Sequence, residues 1–310
     1  MSQTSDASAL SDTLRTLLVF DLPVLVAALM ALVACGTLGN WLVLRKESMT
    51  GDAIAHSVLP GLVGGFLVVG RHSVVAMFAG AAIAGVAAIL LAGWVRRQTK
   101  LESGAALGIV FTAFFAFGVA MLEMQGARQV DLDPGCVLFG ALETLFLVVP
   151  HGGHWISGVP REVWTLTGAA LLAVLFSVAF WKELAALAFD REHAHTTGVS
   201  PRALDQLMLC VTSVAIVASF EAVGSVLVIS LLACPSLIAA PHTVHLRGRF
   251  AMSLGVGSLL TVLGYGMAAY APNLFGTSTA LNAAGMIATL LALAVPVSYS
   301  IRALLNRRMA

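Results

Sequence analysis

Asp52 and His56 stand four residues apart in the stretch GDAIAHSVLPG, residues 51–61. Four residues is about one helical turn, so both side chains would lie on one face of a helix. A carboxylate oxygen and an imidazole nitrogen on one face suit a borderline divalent cation such as Mn²⁺, Fe²⁺ or Zn²⁺. Two ligands alone make a weak site, whereas a twofold dimer with both pairs on its axis would offer four. A plainer arrangement fits the same residues: Asp52 caps the helix start and His56 hydrogen-bonds a neighbouring helix. Pro60 and Gly61 follow closely and are expected to break the helix there, freeing backbone carbonyls beside the pair.

Other residues with chemical capacity are less pointed. WKELAALAFDREHAHTTGVSPRALDQL, 181–207, is a polar break between apolar runs, with Gly198 and Pro201 placed to end one helix and start the next. His193 and His195 in it would face apart on a helix, which favours a solvated or partner-facing role over ligation. Glu221 sits at a span boundary, as an interfacial or a pathway carboxylate. In the run that follows it, Gly224 and Pro235 are expected to break helix regularity at both ends. His151, His154, His242 and His245 read as loop residues, and the scattered Cys35, Cys136, Cys210 and Cys234 read as small apolar fillers. No GxxxxGK[ST] occurs, so the chain carries no P-loop, and no nucleophile–base set or HExxH is found.

The elements that must position these groups follow from composition. The chain has 310 residues, 59% hydrophobic and 11% charged, with a mean hydropathy of +0.93. Soluble domains average about 25% charged residues, so this chain belongs in lipid, as an all-α integral membrane protein. A net charge of +1 makes no case for nucleic acid. Apolar spans run over 22–44, 52–70, 73–95, 104–124, 162–183, 205–220, 222–240, 250–271 and 280–302, with 205–220 short and a short helix expected near 136–149. That makes eight or nine transmembrane helices in one polytopic domain, 1–310, with a polar extension over 1–21 that is unlike a signal peptide.

Basic residues set the orientation. Arg45, Lys46, Arg96, Arg97, Lys100, Lys182, Arg191, Arg202, Arg247, Arg249, Arg302, Arg307 and Arg308 fall on one side, which is 13 of the 17 Lys and Arg. The positive-inside rule makes that side cytoplasmic, with the C-terminus inside and the N-terminus outside. Small residues in GAAIAGVAAILLAG (80–93) and GVGSLLTVLGYG (255–266) are packing material for helix association in lipid.

Several stretches, in order, carry a family resemblance. LGNWLVLRKESMTGDAIAHSVLPGLVGGF (38–66) is similar to an Arg-containing turn followed by G-D-A-[IL]-[SA]-H-[AS]-x-L-P-G. ALGIVFTAFFAFGVAML (106–122), DLDPGCVLFGAL (131–142), LAFDREHAHTTGVSPRALD (187–205) and AVGSVLVISLLACPSLIAA (222–240) resemble further motifs of the same family. The chain thus resembles the membrane permease subunit of the manganese/zinc/iron ABC importers.

The resemblance implies a type II importer-like permease. Two permease copies, or this chain and a related one, would pair around a route. A cytoplasmic ABC ATPase dimer would supply ATP hydrolysis, and an extracytoplasmic protein would deliver the metal. Asp52 and His56 match the family's metal-contacting pair. Phe189, Asp190, Glu192, Ala194 and Gly198 match F-D-x-E-x-A-x-x-x-G, within the ATPase-docking loop 184–205. The metal would be cargo, with no permanently bound cofactor, and the membrane would be the cytoplasmic (inner) membrane of a prokaryote. Glu221 and the Ser236-Leu237-Ile238 run depart from the family pattern. An ion-coupled transporter or channel without an ATPase, and an ABC permease for a metal chelate, are the alternatives.

Overall fold

The structure is a computed structural model that describes residues 21–69, 74–99, 101–124, 160–190, 200–274 and 281–309. These form ten helices: α1 (Leu22–Leu44), α2 (Met49–Val69), α3 (Val74–Thr99), α4 (Ser103–Met124), α5 (Arg161–Ala179), α6 (Trp181–Phe189), α7 (Pro201–Val223), α8 (Ser225–Ala239), α9 (Leu246–Leu274) and α10 (Ala283–Met309). The helix expected near 136–149, His151, His154, His193 and His195 lie outside the described residues, as do residues 1–20.

Eight of the helices are long and apolar enough to cross a membrane. In hydrocarbon every backbone polar group must be satisfied internally, which a helix does within its own segment. α8, with 15 residues, spans about 22 Å and falls short of a ~30 Å hydrocarbon core. Three expectations need correction. Span 162–183 is two helices, because the chain turns at Phe180 (φ −102°, ψ 24°) between α5 and α6. The first member of the 205–220/222–240 pair is not short: α7 starts at Pro201. The helices also run unbroken through Pro60 and Pro235, since a proline inside a span removes one N–H and neighbouring helices hold the geometry.

α1 lies at the centre and packs on α5, α7, α8 and α9, while α2 packs chiefly on α3 and α4. The aromatic rings of Trp41 (α1), Trp181 (α6) and Phe250 (α9) meet in a triangle with centroids 5.0–5.1 Å apart. At the opposite end, Tyr265 and Tyr270 of α9 donate to the two carboxylate oxygens of Asp21, at 2.6 and 2.9 Å.

α1 ends in a Schellman closure. Lys46 N–H donates to the Val43 carbonyl at 3.1 Å and Glu47 N–H to the Leu42 carbonyl at 2.8 Å. Lys46 takes the left-handed conformation (φ 58°) that glycine usually supplies. The turn into α2 therefore has one defined geometry.

Candidate metal-contact site

Asp52 falls in the first turn of α2, about 5 Å along the axis from its start, and His56 about 10 Å. The helix begins just after Arg45 and Lys46, so the pair sits nearer the basic side of the molecule than the opposite side. Asp52 Oδ1 lies 3.2 Å from His56 Nε2. A cation with ~2.1 Å bonds and ligand angles of roughly 90–109° would separate its donor atoms by about 3.0–3.4 Å. The same 3.2 Å is an ordinary i,i+4 contact between an imidazole and a carboxylate, and it is also compatible with the bite of one divalent ion.

The His56 ring is held by α4. It stacks on Phe111 with centroids 5.7 Å apart and an interplanar angle of 30°, and meets the edge of Phe115 at 5.8 Å and 84°. Sequence reading missed these rings, although Phe111, Phe114 and Phe115 share one side of a helix at 3–4 residue spacing. One turn along, α4 comes close enough that a Cβ at Gly118 would lie 2.8 Å from Pro60 N. Pro60 cannot donate to the His56 carbonyl four residues earlier, so that carbonyl lacks its usual helical donor. Gly61 serves packing: its backbone lies against that of Gly80 in α3 with no room for a Cβ on either glycine.

The site is open on one side. The side chains of His56 and Asp52 are 29% and 37% exposed, and Phe115 beside the His56 ring is exposed as well. Among the described residues, no group of three or more His, Cys, Asp or Glu gathers to hold a metal. The chain brings one carboxylate and one imidazole together here on a partly exposed face.

The other candidate residues lie elsewhere. Glu221 is in the last turn of α7, within electrostatic reach of Arg161 and Glu162 at the start of α5. It stands about 24 Å along α7 from Asp205, at the end remote from Asp52 and His56, so the structure does not join it to that pair. Gly224 separates α7 from α8 with φ 78°, a conformation that favours glycine. Ser236, next to Pro235, accepts a hydrogen bond from Arg249 at 3.2 Å. Phe189 is exposed at the end of α6, and Asp190 is its extended C-cap. Glu192, Ala194 and Gly198 lie outside the described residues. Cys35, Cys210 and Cys234 are free thiols.

Residues 19–295 match the family model described as the ABC 3 transport family. The chain is 34% identical over 249 residues to the manganese transport system membrane protein MntD of Bacillus subtilis, covering 79% of this chain and 82% of the relative. It is 30% identical to the zinc transport system membrane protein TroC of Treponema pallidum, covering 77% and 76%. Its fold is similar to PsaBC from Streptococcus pneumoniae in complex with Fab, with a TM-score of 0.73 and 22% identity over 94% of this chain and 95% of that one.

Proposed function

The chain belongs to the ABC 3 transport family, and from that premise we propose that it is the permease subunit of an ATP-driven importer for a divalent transition metal. The observation that carries this reading is the Asp52–His56 pair. It stands 3.2 Å apart, compatible with the bite of one cation, on a partly exposed face of a membrane-spanning helix. Ionisable side chains inside a span are costly and mark pathways or paired sites.

The incomplete ligand set suits a carrier. Binding must be strong enough to accept a desolvated ion and weak enough to release it. Two donors from one chain meet that need when a second permease copy, a backbone carbonyl or water supplies the rest. The aromatic walls of Phe111 and Phe115 hold the imidazole ready, so little ordering is left for the moment of capture. A partner ATPase hydrolyses ATP, because the chain has no P-loop. That ATPase engages the segment from Phe189 to Gly198, and an extracytoplasmic protein hands over the metal at the opposite end, where Glu221 lies. The basic side and the C-terminus face the cytoplasm of a prokaryote, and residues 1–310 act as one transmembrane domain. One oxygen and one nitrogen donor sit between the manganese and zinc preferences, and the relatives' names divide between those metals in the same way.

The test is uptake of Mn²⁺, Zn²⁺ and Fe²⁺ by a strain lacking the chain and complemented with it. Asp52→Ala and His56→Ala are expected to lower uptake by more than about 100-fold, since loss of supporting groups alone costs 10–100-fold. Co-purification with the ATPase should persist. Normal uptake by both variants would refute the role of the pair.

A further inference from the structure

The α1–α2 turn is gripped from both sides of the segment between α6 and α7. On one side, α6 opens with Trp181, whose ring lies edge-on to Trp41 at 5.1 Å, with both packed on Phe250. On the other, Asp205, near the start of α7, pairs with Arg45. Arg45 Nη1 donates to Met208 Sδ of α7 at 3.4 Å, and its Nη2 lies 3.3 Å from Glu47 Oε2. The Arg45 side chain is only 6% exposed, so this guanidinium is an internal fastener and not a surface charge.

Both grips fall on one place. Trp41 and Arg45 are four residues apart, and Arg45 N–H donates to the Trp41 carbonyl at 3.1 Å, so they occupy successive turns of one helix face. From Arg45 the chain passes through the Schellman closure into α2, whose first turn holds Asp52. Rigid elements and packed side chains carry displacement between sites, and a planar guanidinium resists reorientation more than an ammonium does. α7 also packs along α2 directly, so the fastener sets the angle at which α2 follows α7.

We propose that the Arg45–Asp205 pair, backed by the Trp41–Trp181 contact, is the joint through which movement of the ATPase-docking segment reaches the metal pair, with Arg45 a positioning residue. This rests on the importer reading given above. The experiment uses the full complex of permease, ATPase and binding protein in proteoliposomes, with Mn²⁺ as the probe. Asp205→Asn keeps the side chain's size and removes its charge. Read in complexes matched for bound ATPase, Mn²⁺ imported per ATP hydrolysed is expected to fall about tenfold, mid-range for residues in a coupling network. Arg45→Lys keeps the charge and loses the fork, and a smaller fall in the same ratio is expected. A wild-type ratio in both variants would overturn the joint. So would a loss of ATPase binding that matches the loss of import, or failure of both variants to assemble. A wild-type complex that neither imports Mn²⁺ nor hydrolyses ATP faster with the loaded binding protein would bring down the importer reading itself.

Discussion

The core around α1 and the wing formed by α2, α3 and α4 use the same small apolar residues to different ends. In the core one continuous cluster joins α1 to α5, α6, α7, α8, α9 and α10. Its polar groups are turned inward: Asn40 Nδ2 donates to Ser253 Oγ at 2.6 Å and to the Gly36 carbonyl at 2.8 Å. The wing has only small clusters beyond α2's inner face, Val58–Ala81–Val217 and Ala88–Ala92–Val110. It is held by backbone approach at Gly61–Gly80 and Pro60–Gly118, and α3 and α4 leave most of their surface uncovered. In lipid, polar contacts and close packing hold helices together, because apolar burial alone gives little drive. The core therefore serves as a frame, while the wing carries Asp52 and His56 on a partly exposed face.

Substitutions in the two regions should separate fold from transport. Trp41→Ala in the core removes a fully buried ring and should cost about 3–5 kcal/mol. Loss of a monodisperse peak in detergent on mild heating is the readout, and an unchanged melting profile would break the distinction. Gly61→Val on the wing should cost about 1–3 kcal/mol by overpacking against α3 and lower uptake with it. Gly64→Ala, where a Cβ meets nothing within 4 Å, should change stability by less than about 0.5 kcal/mol. Equal melting temperatures for these two variants would deny the tight α2–α3 approach.

Phe115→Ala, at a ring 40% exposed, should shift stability by less than about 1 kcal/mol. It should weaken metal binding about tenfold through the loosened His56 ring, as read by metal titration of the purified permease. At the turn between the regions the expected change is a gain in stability with no change in transport. Lys46→Gly relieves the left-handed conformation (φ 58°) and should raise stability by about 1 kcal/mol, with uptake preserved.

Much of this was legible in the residues, and the exceptions share a cause. Spans were readable because hydrocarbon demands long apolar helices whatever their neighbours. The turn at Phe180 was not, because no Gly or Pro marks it, and the Trp181 ring's place between Trp41 and Phe250 accompanies it. The start of α7 at Pro201 was marked by the proline itself, and only the apolar span was drawn short, because Asp205 is a charge that looks like loop until Arg45 is seen to pair with it. The proline positions misled because proline's local cost is offset by neighbouring helices, which a local reading does not contain.

The sequence by itself determined the apolar spans, the sidedness of the basic residues and the placing of Asp52 and His56 one helical turn apart, since each depends only on local periodicity or composition. Only the tertiary structure decided that the His56 ring lies against phenylalanines of α4, that Glu221 comes within electrostatic reach of Arg161 and Glu162, and that Arg45 fastens the α2 turn to α7. Those facts depend on residues distant in the chain, and which helix faces meet is set by packing that no single segment encodes.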